Sequence, residues 1–379
     1  MHSTARALPP LRRSDYLVLL MVTGQRAPLP RRVLIILMGA IGDVIRALPL
    51  LGRMRQAWAD SHIGWAVEPK SEPLLRGHQW VDELIVYDRR HAPWSFVPFL
   101  KKIHSARFDL VLDLQRHFKS GLVSLASGAP ERLGFASANS KEFNHLFATR
   151  HIGAQPHMRL KLFQYQAFAD ELGLPATPIE FGLGLPPAED RRARGLIAAA
   201  PRPILGVILG SSWPSRIYFP ESVAEVIRGL ASPVEGNRGL FPVLLGTHDE
   251  EELAAAVMEH LGQAAVLNLA GRTSLRDLIG IFAECAVAFG PDSGPMHIAA
   301  AVGCPVVSLW GSTSPARSAP WGFADLAISA DIPCHPCYLR ECPIGRECMR
   351  RISPEIVVKT VSHALEAKSV RTRPGCLTA

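Results

Sequence analysis

The sequence predicts an α/β protein of two doubly wound domains that face each other across a cleft. Its 379 residues are too many for one ordinary core at roughly 100 to 200 residues per domain. Short β-branched runs alternate with amphipathic stretches from Arg31 onward, which is typical of βα units around a parallel sheet. A segment rich in Pro, Gly and charge interrupts this alternation near the middle of the chain. Because the alternation then resumes, we expect two tandem domains.

The first domain is assigned to residues 31–185 and is built on four predicted strands. They read VLIIL, IGWAV, LIVYD and DLVLDL, and helices are expected after Asp43 and near Phe118. The interruption GLGLPPAEDRRARGLIAAAPRP follows, and within it residues 186–203 are interpreted as a linker. Residues 1–30 precede the first strand and are interpreted as a poorly ordered N-terminal extension.

The second domain is assigned to residues 204–368 and is followed by a tail, 369–379. Five strands are predicted, with the sequences ILGVIL, FPVLLG, VLNLA, AVAFG and PVVSLWG. The helices between them are expected to start at Pro220, Asp249, Ser274 and Pro295. A last amphipathic helix, SPEIVVKTVSHALEA, is expected to close the fold. Its predicted core face consists of Ile356, Val357, Val361, Ala364 and Leu365.

The charge balance favours an anionic partner. Lys and Arg number 41 against 34 Asp and Glu, which suits phosphates, nucleic acid or an anionic membrane surface. No apolar run reaches the ~18 to 20 residues of a membrane span. The Arg-rich start contains YLVLLMV but no A-x-A-like cleavage site after it. We therefore expect a cytoplasmic protein whose contact with the inner membrane is peripheral.

Four of the seven cysteines lie in the segment CHPCYLRECPIGREC. An odd number without an export signal favours free thiols in a reduced compartment over a disulfide framework. The first C-x-x-C could form half of a zinc site, but the spacings that follow are tighter than in two-knuckle zinc sites. Structural zinc is thus an alternative that the spacing does not favour. The four residues are Cys334, Cys337, Cys342 and Cys348.

The segment AFGPDSGPMHIAAAVGCPVVSLWG is the strongest candidate for a binding site. It reads as a strand, a tight turn, a helix opened by Pro295 and closed near Gly303, and a further strand. The unpaired N–H groups at the helix start can bind an anion such as a diphosphate. Alternatively, Asp292 and Ser293 only cap the helix and His297 packs inward.

Three motifs of this chain resemble those of a known family. The run DSGPMHIAAA resembles the D-[ST]-G-x-x-H-x-x-A-A signature of family 9 glycosyltransferases, the ADP-heptose:lipopolysaccharide heptosyltransferases. MGAIGDVIRALPLLGRMR is similar to the family's G-x-[IL]-G-D-x-x-x-x-x-P segment, and DLVLDLQRHFKSG to its D-x-x-[IVL]-D-L-Q segment. The resemblance runs from about Arg31 to about Ala367. It implies the GT-B fold, with an acceptor-side and a donor-side Rossmann-like domain facing a central cleft.

This resemblance implies an inverting, metal-independent transfer of heptose from ADP-heptose to lipid A–Kdo or to a heptosylated lipopolysaccharide core. It implies no cofactor, and the partners are the nucleotide sugar and an anionic glycolipid rather than nucleic acid. A nucleoside diphosphate leaves as a stable anion, so one carboxylate that takes the acceptor's proton is sufficient. A glycoside hydrolase, by contrast, needs two.

Asp43 is the predicted catalytic base. It follows VLIIL, a predicted buried strand, and Gly39 and Gly42 allow a tight turn with close backbone approach. It matches the aspartate that is proposed as the general base of the family, while on local grounds it is equally well a helix N-cap. The core face predicted for the following helix consists of Val44, Ile45, Leu48 and Leu51.

The predicted donor-binding residues lie at strand ends of the second domain. In GSSWPSRIYFP, Arg216 corresponds to the lysine of the family's Lys-x-Trp-Pro, with a displaced aromatic residue and one inserted position. A surface arginine is the alternative. For the residues near ribose and base, helix capping by Asp249 and Thr273 is an equal alternative. The donor set is Gly210, Ser211, Ser212, Arg216, Thr247, Glu252, Thr273, Leu275, Asp292, Ser293, Gly294, Pro295 and His297.

The predicted acceptor side lies around the end of the strand DLVLDL. Cations at that position would attract a phosphorylated glycolipid, although charge runs are often only solvated surfaces. The basic residues Lys101, Lys102 and Arg107 are expected to extend this rim. The acceptor-binding set is Gly42, Gln115, Arg116 and Lys119.

Other functions fit parts of the sequence. A GT-B transferase could use another nucleotide sugar for surface glycan synthesis, because a turn signature does not specify the sugar. A Rossmann oxidoreductase or methyltransferase fits the twin-domain pattern, but no G-x-G-x-x-G follows the first strand with an acidic residue about 20 positions later. A zinc-containing nucleic-acid binder is favoured only by the cysteines and the positive charge.

Overall fold

The computed structural model of the chain describes residues 29–91, 94–231 and 239–371, with backbone only for 367–371. Residues 1–28 of the predicted extension and 372–379 of the predicted tail lie outside the described residues. Two parallel sheets of six strands each, flanked by helices, form the described part. The predicted α/β class is confirmed.

The first sheet has the strand order β3-β2-β1-β4-β5-β6, and every neighbouring pair is parallel. Its strands are β1 (Arg32–Ile36), β2 (His62–Val67), β3 (Glu83–Val86), β4 (Leu110–Asp113), β5 (Glu131–Gly134) and β6 (Arg150–His151). The helices of this half are α1 (Ile41–Ala57), α2 (Glu72–Leu75), α3 (Phe96–Ser105), α4 (Phe118–Ala126) and α5 (Lys161–Glu171).

The second sheet repeats this topology. Its strands are β7 (Ile204–Ile208), β8 (Phe241–Leu245), β9 (Leu267–Asn268), β10 (Cys285–Pro291), β11 (Val306–Trp310) and β12 (Ala327–Ser329). Their order is β9-β8-β7-β10-β11-β12, again parallel throughout. The remaining helices are α6 (Pro187–Leu196), α7 (Pro220–Ala231), α8 (Glu251–Leu261), α9 (Leu275–Glu284), α10 (Gly294–Ala301), α11 (Pro315–Ser318), α12 (Glu347–Arg350) and α13 (Pro354–Arg371).

This topology places the predicted motifs at the two points where strand order reverses. Ligands of open α/β sheets bind outside the carboxyl ends of the strands at such a point. In the first sheet the reversal lies between β1 and β4, and Asp43 and Gln115 follow those strands. In the second it lies between β7 and β10, which are followed by Gly210 and Asp292.

Helix faces follow the predicted periodicity with one exception. On α1, Val44, Ile45, Leu48 and Leu51 are all buried, as predicted. On α13, the positions 357, 361 and 364 are buried, but Ile356 is 48% exposed. Its predicted place in the core is wrong, because the buried stripe of α13 starts one residue later and Ile356 lies about 100° away around the helix.

The structure also contains elements that the apolar pattern did not predict. Strands β5, β6 and β12 are short, and β5 (ERLG) and β6 (RH) carry little apolar signal. Residues 186–203, predicted to be a linker, contain α6, which packs on α9 at Gly280. A Cβ atom on that glycine would lie 2.6 Å from the Cβ of Ala193. This segment is therefore a helix docked on the second half.

Candidate active site

Asp43 lies in the first turn of α1, at the edge of the first sheet that faces the second. The N-cap of α1 is Ala40, so the alternative in which Asp43 caps the helix is wrong. The Asp43 carboxylate is paired with two cations instead. Oδ1 accepts from Nη2 of Arg46 at 2.6 Å and from Nζ of Lys161 at 2.8 Å, and Oδ2 accepts from the same Nζ at 3.1 Å.

These cations decide the ionisation of Asp43. Burial by itself raises the pKa of Asp43, but the charges of Lys161 and Arg46 outweigh it and hold that pKa well below its usual range. Burial lowers the pKa of Lys161 to about 8 even with Asp43 beside it. Burial and the charge of Asp43 raise the pKa of the nearby Tyr165. Asp43 is thus ionised at neutral pH, beside an ammonium group close to its titration point.

Arg46 connects the two domains. Its side chain is buried, and Nη1 lies 2.6 Å from Nε2 of His297 on α10. Burial, together with the charge of Arg46, lowers the pKa of His297 well below its ordinary value. The imidazole is therefore neutral, and we assign Nε2 as the acceptor of the arginine N–H. His297 is thus buried and is also part of the site, so the two interpretations of this residue hold together.

Two glycines allow α1 and α10 to come this close. A Cβ atom on Gly42 would lie 2.6 Å from Cδ2 of His297, and one on Gly294 would lie 2.7 Å from Cγ2 of Ile41. By contrast, a Cβ on Gly39 would meet only an ordinary contact of 3.7 Å. Gly42 and Gly294 thus serve close domain contact, whereas nothing crowds Gly39.

The Asp292 turn is tied to the loop that follows β7. Oδ2 of Asp292 accepts from Oγ1 of Thr313 at 2.7 Å and lies 3.1 Å from Nη1 of Arg216. The backbone carbonyl of Asp292 accepts from Oγ of Ser211 at 2.7 Å. The Arg216 side chain is only 14% exposed and stacks 3.9 Å from the ring centre of Trp213. The alternative of a surface arginine is therefore wrong.

Ser293 occupies the N-cap position of α10 without capping the helix through its side chain. Its Oγ is buried and has no hydrogen-bond partner among the described residues. Asp292 bonds to Thr313 and Arg216 rather than to the helix. The capping-only interpretation of these two residues is therefore wrong, and a buried hydroxyl remains available beside the first N–H groups of α10.

Positive charge exceeds negative charge around the cleft. Buried donors normally find partners, yet Nε of Arg46, Arg216 and Arg317 have none within the described ranges. The charge of Arg317 also lowers the pKa of Arg116 and of Lys161, although burial lowers each of them more. An anionic ligand would satisfy such a site. Its cations are Arg46, Arg116, Lys161, Arg216 and Arg317, and its carboxylates are Asp43 and Asp292.

The predicted acceptor residues separate into three kinds. Arg116 is held by a hydrogen bond to Gln164 and by stacking 3.9 Å from the ring centre of Phe135. Gln115 uses Oε1 to accept from the backbone N–H of Met38 at 2.8 Å, and so braces the chain after β1. Lys119 is exposed on the first turn of α4.

The predicted extension of the basic rim is wrong. Nζ of Lys102 lies 3.7 Å from Oε1 of Glu83, the first residue of β3. That end of the strand is the amino edge of the sheet, opposite to the cleft. Since α3 returns the chain to this edge before β4 begins, Lys101 and Arg107 are carried away from the site as well.

Glu250 was missed in the sequence and lies beside the donor loop. It pairs with the N–H and hydroxyl of Thr247, the former at 2.6 Å. A Cβ atom on Gly210 would collide with its carboxylate. The predicted Glu252 is exposed on α8, two residues further along. Within the described part, Glu250 is therefore the carboxylate that borders Gly210.

The helix caps near this loop are not the predicted ones, Asp249 and Thr273. Thr247, not Asp249, forms a capping box at the turn before α8. Ser274, not Thr273, caps α9, with Asp277 as its partner. Leu275 is partly buried against the hydrophobic core. Thr273 and Leu275 thus stand at the start of α9 without a capping role.

The cysteine segment supports the donor loop. Ser215 donates its backbone N–H to the carbonyl of Arg340 at 3.2 Å and its hydroxyl to the carbonyl of Leu339 at 2.7 Å. The four cysteines are free thiols. Within residues 29–91, 94–231 and 239–371, no group of three or more His, Cys, Asp and Glu is arranged to hold a metal ion. Every helix in these ranges is too short or too polar to span a bilayer.

Several residues around Asp43 were not predicted from the sequence. Arg46 stands three positions after Asp43 on one helix, and that spacing is a usable signal for an ion pair. Lys161 is 118 positions from Asp43 and opens α5 with no recognisable motif. Tyr165 and Arg317 likewise belong to no motif. Only the folded chain brings these three to the site.

Comparisons with known proteins agree with this architecture. The family model described as glycosyltransferase family 9 (heptosyltransferase) matches residues 97–347. The lipopolysaccharide core heptosyltransferase OpsX of Haemophilus influenzae is 26% identical over 303 residues, which is 79% of this chain and 84% of that protein. Lipopolysaccharide heptosyltransferase 1 of Pseudomonas aeruginosa is 27% identical, over 82% of this chain and 87% of its own length.

Solved structures confirm the predicted GT-B fold. A family 9 glycosyl transferase from Veillonella parvula superposes with a TM-score of 0.75 at 22% identity, covering 89% of this chain and 97% of its own. The ADP-heptose lipopolysaccharide heptosyltransferase II of Escherichia coli gives 0.71 at 23% identity, covering 89% and 99%. At this level of identity the likeness concerns the fold.

Proposed function

We propose that this chain, which belongs to glycosyltransferase family 9 (heptosyltransferase), transfers a heptose from ADP-heptose to a lipopolysaccharide inner-core acceptor, either lipid A–Kdo or a heptosylated core. The named activities of the relatives from H. influenzae and P. aeruginosa support this choice. One observation carries the proposal. An ionised carboxylate, Asp43, faces a cation-rich anion site at the start of α10 in the other domain.

The reaction is a direct displacement with inversion at the anomeric carbon. The acceptor hydroxyl oxygen forms a bond to that carbon while the bond to the phosphate oxygen breaks, and its electron pair leaves with ADP. Asp43 takes the hydroxyl proton from the face opposite the leaving group. Its Oδ2 is the better placed oxygen, because its bond from Lys161 is longer, at 3.1 Å against 2.8 Å for Oδ1, and Arg46 bonds to Oδ1.

The second domain holds the donor diphosphate. Backbone N–H groups at the start of α10 and the unpartnered Oγ of Ser293 would bind its oxygens. Arg216 and Arg317 would neutralise the charge that develops on the leaving group, so neither a general acid nor a metal ion is needed. Glu250, beside Gly210, is placed to accept hydrogen bonds from the ribose hydroxyls.

The first domain holds the acceptor. Arg116 and Lys161 offer positive charge to its phosphate or carboxylate groups on the side of Asp43. Arg46 is a positioning residue, since it orients Asp43 and ties it to His297 across the cleft. The lipid-linked acceptor is reached from a membrane surface by peripheral contact.

Isothermal titration tests the donor assignment. ADP-heptose, a GDP-sugar and a UDP-sugar are titrated into the wild type, into Asp292→Ala, and into Asp331→Ala as a matched control on the exposed surface. We expect ADP-heptose to bind best, and Asp292→Ala to weaken it about tenfold because Arg216 loses its partner. Equal affinity for the three nucleotide sugars would contradict the proposal, and preference for another one would favour the alternative GT-B transferase.

The stereochemistry and the metal requirement are tested on the product. NMR of the transferred heptose is expected to show the anomeric configuration opposite to that of the donor, with the same rate in the presence and absence of EDTA. A retained configuration would exclude direct displacement by way of Asp43. A rate that EDTA abolishes and a divalent cation restores would exclude the metal-independent mechanism.

A further inference from the structure

The first domain exposes several large apolar side chains on one side. They are Trp94 (85% exposed), Val97 (56%), Phe118 (45%), Phe143 (73%) and Leu146 (71%), and we call them the apolar face. Scattered exposed apolar residues are ordinary, but a contiguous group marks an interaction site. The group belongs to three neighbouring segments, the start of α3, the start of α4 and the 3-10 turn Asn144–Phe147.

Direct contacts hold these segments together. The ring of Phe118 packs edge-on against Phe147 at 5.3 Å between centres, and its backbone N–H donates to Oε2 of Glu142 at 3.1 Å. Helices α3 and α4 lie side by side on the same side of the sheet, where His104 near the end of α3 bonds to the carbonyl of Ala126 at 3.1 Å. Phe118, Phe143 and Leu146 therefore belong to segments in direct contact, and Trp94 and Val97 lie at the start of the helix packed beside them.

The backbone presents Phe143 at a conformational cost. Glu142 and Phe143 have φ values of +50° and +58°, a left-handed region that costs a non-glycine residue energy. The phenyl ring gains little burial in return, because it is 73% exposed. A strained segment that exposes an aromatic ring indicates a binding role for that ring.

Positive charge borders the apolar face. Residues 88–119 contain seven Lys or Arg and three Asp, and three of the cations, Arg89, Arg90 and Lys102, pair with Glu68, Asp88 and Glu83. Asp109 accepts two backbone N–H groups at the start of β1, and Asp113 is buried. Among the described residues, no carboxylate lies within 4 Å of Lys101 or Lys119. Aromatic residues flanked by unpaired cations are typical of surfaces that bind anionic lipids.

We propose that the apolar face docks this protein onto an anionic phospholipid membrane. The inference rests on the proposed function, in which the acceptor is a lipid. Phe118 follows Arg116 by two residues, so the apolar face borders the acceptor side of the cleft. Docking there brings the Asp43 side of the cleft to the lipid surface, where a membrane-embedded acceptor is presented.

Vesicle co-sedimentation of the full chain tests the proposal. The probes are vesicles of phosphatidylcholine with or without phosphatidylglycerol, free of any glycolipid. We expect binding only with phosphatidylglycerol, and about tenfold weaker binding for the double variant Phe143→Ser, Leu146→Ser. Ile356→Ser is the matched control, because Ile356 is a 48% exposed apolar residue of the second half. Lys119→Glu, next to Phe118, is expected to weaken binding, and Lys359→Glu to leave it unchanged.

The N-terminal apolar run requires its own control. The full-length double variant Leu17→Ser, Leu19→Ser is expected to bind vesicles like the wild type. If this variant loses binding while the Phe143→Ser, Leu146→Ser variant keeps it, the apolar face is not the docking surface. Sedimentation velocity tests for self-association. A wild-type dimer that the Phe143→Ser, Leu146→Ser substitutions dissociate, and the Leu17→Ser, Leu19→Ser substitutions do not, would also overturn the proposal, because a second copy would then cover the apolar face.

Transfer to a deacylated, water-soluble acceptor separates this inference from the proposed function. The Phe143→Ser, Leu146→Ser variant is expected to keep wild-type transfer and wild-type thermal unfolding. If the wild type transfers to the soluble acceptor but ignores anionic vesicles, docking is wrong and the function stands. If the variant is folded but loses soluble transfer, the face belongs to the acceptor site rather than to a membrane surface.

Discussion

Two carboxylates of the first domain, Asp43 in the first turn of α1 and the buried Asp113 at the end of β4, experience opposite electrostatics. Asp43 is surrounded by Arg46 and Lys161, which hold its pKa well below the usual range despite burial. Asp113 accepts from Asn144 at 2.7 Å and from Ser120 at 3.0 Å, both neutral donors. Burial therefore prevails and raises the pKa of Asp113.

The difference shows that neighbours, not burial, decide what a buried carboxylate can do. A carboxylate beside cations stays ionised and can accept a proton from a substrate. A carboxylate among neutral donors serves to hold those donors in place, and Asp113 holds the start of α4 and the turn at Asn144. Substitutions at these two sites should consequently fail in different ways.

The largest contrast is expected between Asp43→Asn and Asp113→Asn. Removing the proton acceptor should lower kcat about 1,000-fold and leave ADP-heptose affinity nearly intact, because the base acts on the acceptor. Asp113→Asn should keep kcat within about threefold, since Asp113 is bonded inside the domain. Steady-state kinetics and donor titration measure both. Substantial turnover by a folded Asp43→Asn enzyme would remove Asp43 from its proposed role.

A smaller loss is expected when Asp43 is displaced without being changed. In Gly42→Ala, the new methyl group would lie 2.6 Å from His297, so α1 and α10 must separate. A shift of this kind should lower kcat about tenfold to hundredfold with little change in unfolding temperature. Gly195→Ala is the control, because a Cβ atom at Gly195 meets nothing within 4 Å. Equal kinetics for the two alanine variants would show that close contact is unnecessary.

The cation next to Asp43 should appear in the pH dependence. The pKa of Lys161 is about 8, so its charge is lost as the pH rises through that value. Asp43 stays ionised but becomes a stronger base, and kcat should rise severalfold. Lys161→Arg keeps its charge over this range and should give a flat profile near pH 8. Asp113→Asn should show the same increase of kcat with pH as the wild type. If Lys161→Arg also showed that increase, the titration would belong to a group other than Lys161.

The smallest effect is expected in stability. Asp113→Asn removes one acceptor from a buried network and should lower the free energy of unfolding by about 1 to 2 kcal/mol. The raised pKa of Asp113 means that the unfolded chain releases this proton at lower pH than the native one. The contribution of Asp113 to the wild-type free energy of unfolding therefore falls as pH rises through the raised pKa. The difference in free energy of unfolding between wild type and Asp113→Asn should narrow over the same range. Urea unfolding across pH measures this gap, and a gap that widens with pH would contradict the argument.

The positions of the main motifs could be predicted because they follow local patterns. Buried strands such as VLIIL are recognisable from a few adjacent residues, and the polar turn that follows each strand marks its carboxyl end. The sequence therefore placed Asp292 directly after its strand and Asp43 where the helix after the first strand begins, and the structure has both there. Short strands such as β6, Arg150–His151, have too few residues to show any period.

Side-chain partners could be predicted only where they were close in sequence. Near α8, the polar run offered several glutamates, and only the loop path shows that Glu250 rather than Glu252 meets Gly210. The basic run near Lys102 predicted a rim at the cleft, but the direction of α3 carries it to the other edge of the sheet.

The amino-acid sequence by itself determined the repeated βα order, the parallel sheets, the turn at Asp292 and the carboxylate after the first strand, since apolar periodicity and turn chemistry are properties of neighbouring residues. The tertiary structure alone decided the ionisation of that carboxylate. Of the two cations that lower its pKa, Arg46 lies on the same helix, but Lys161 comes from a helix more than a hundred residues away. Charge–charge energies depend on distance and burial in space rather than on order along the chain.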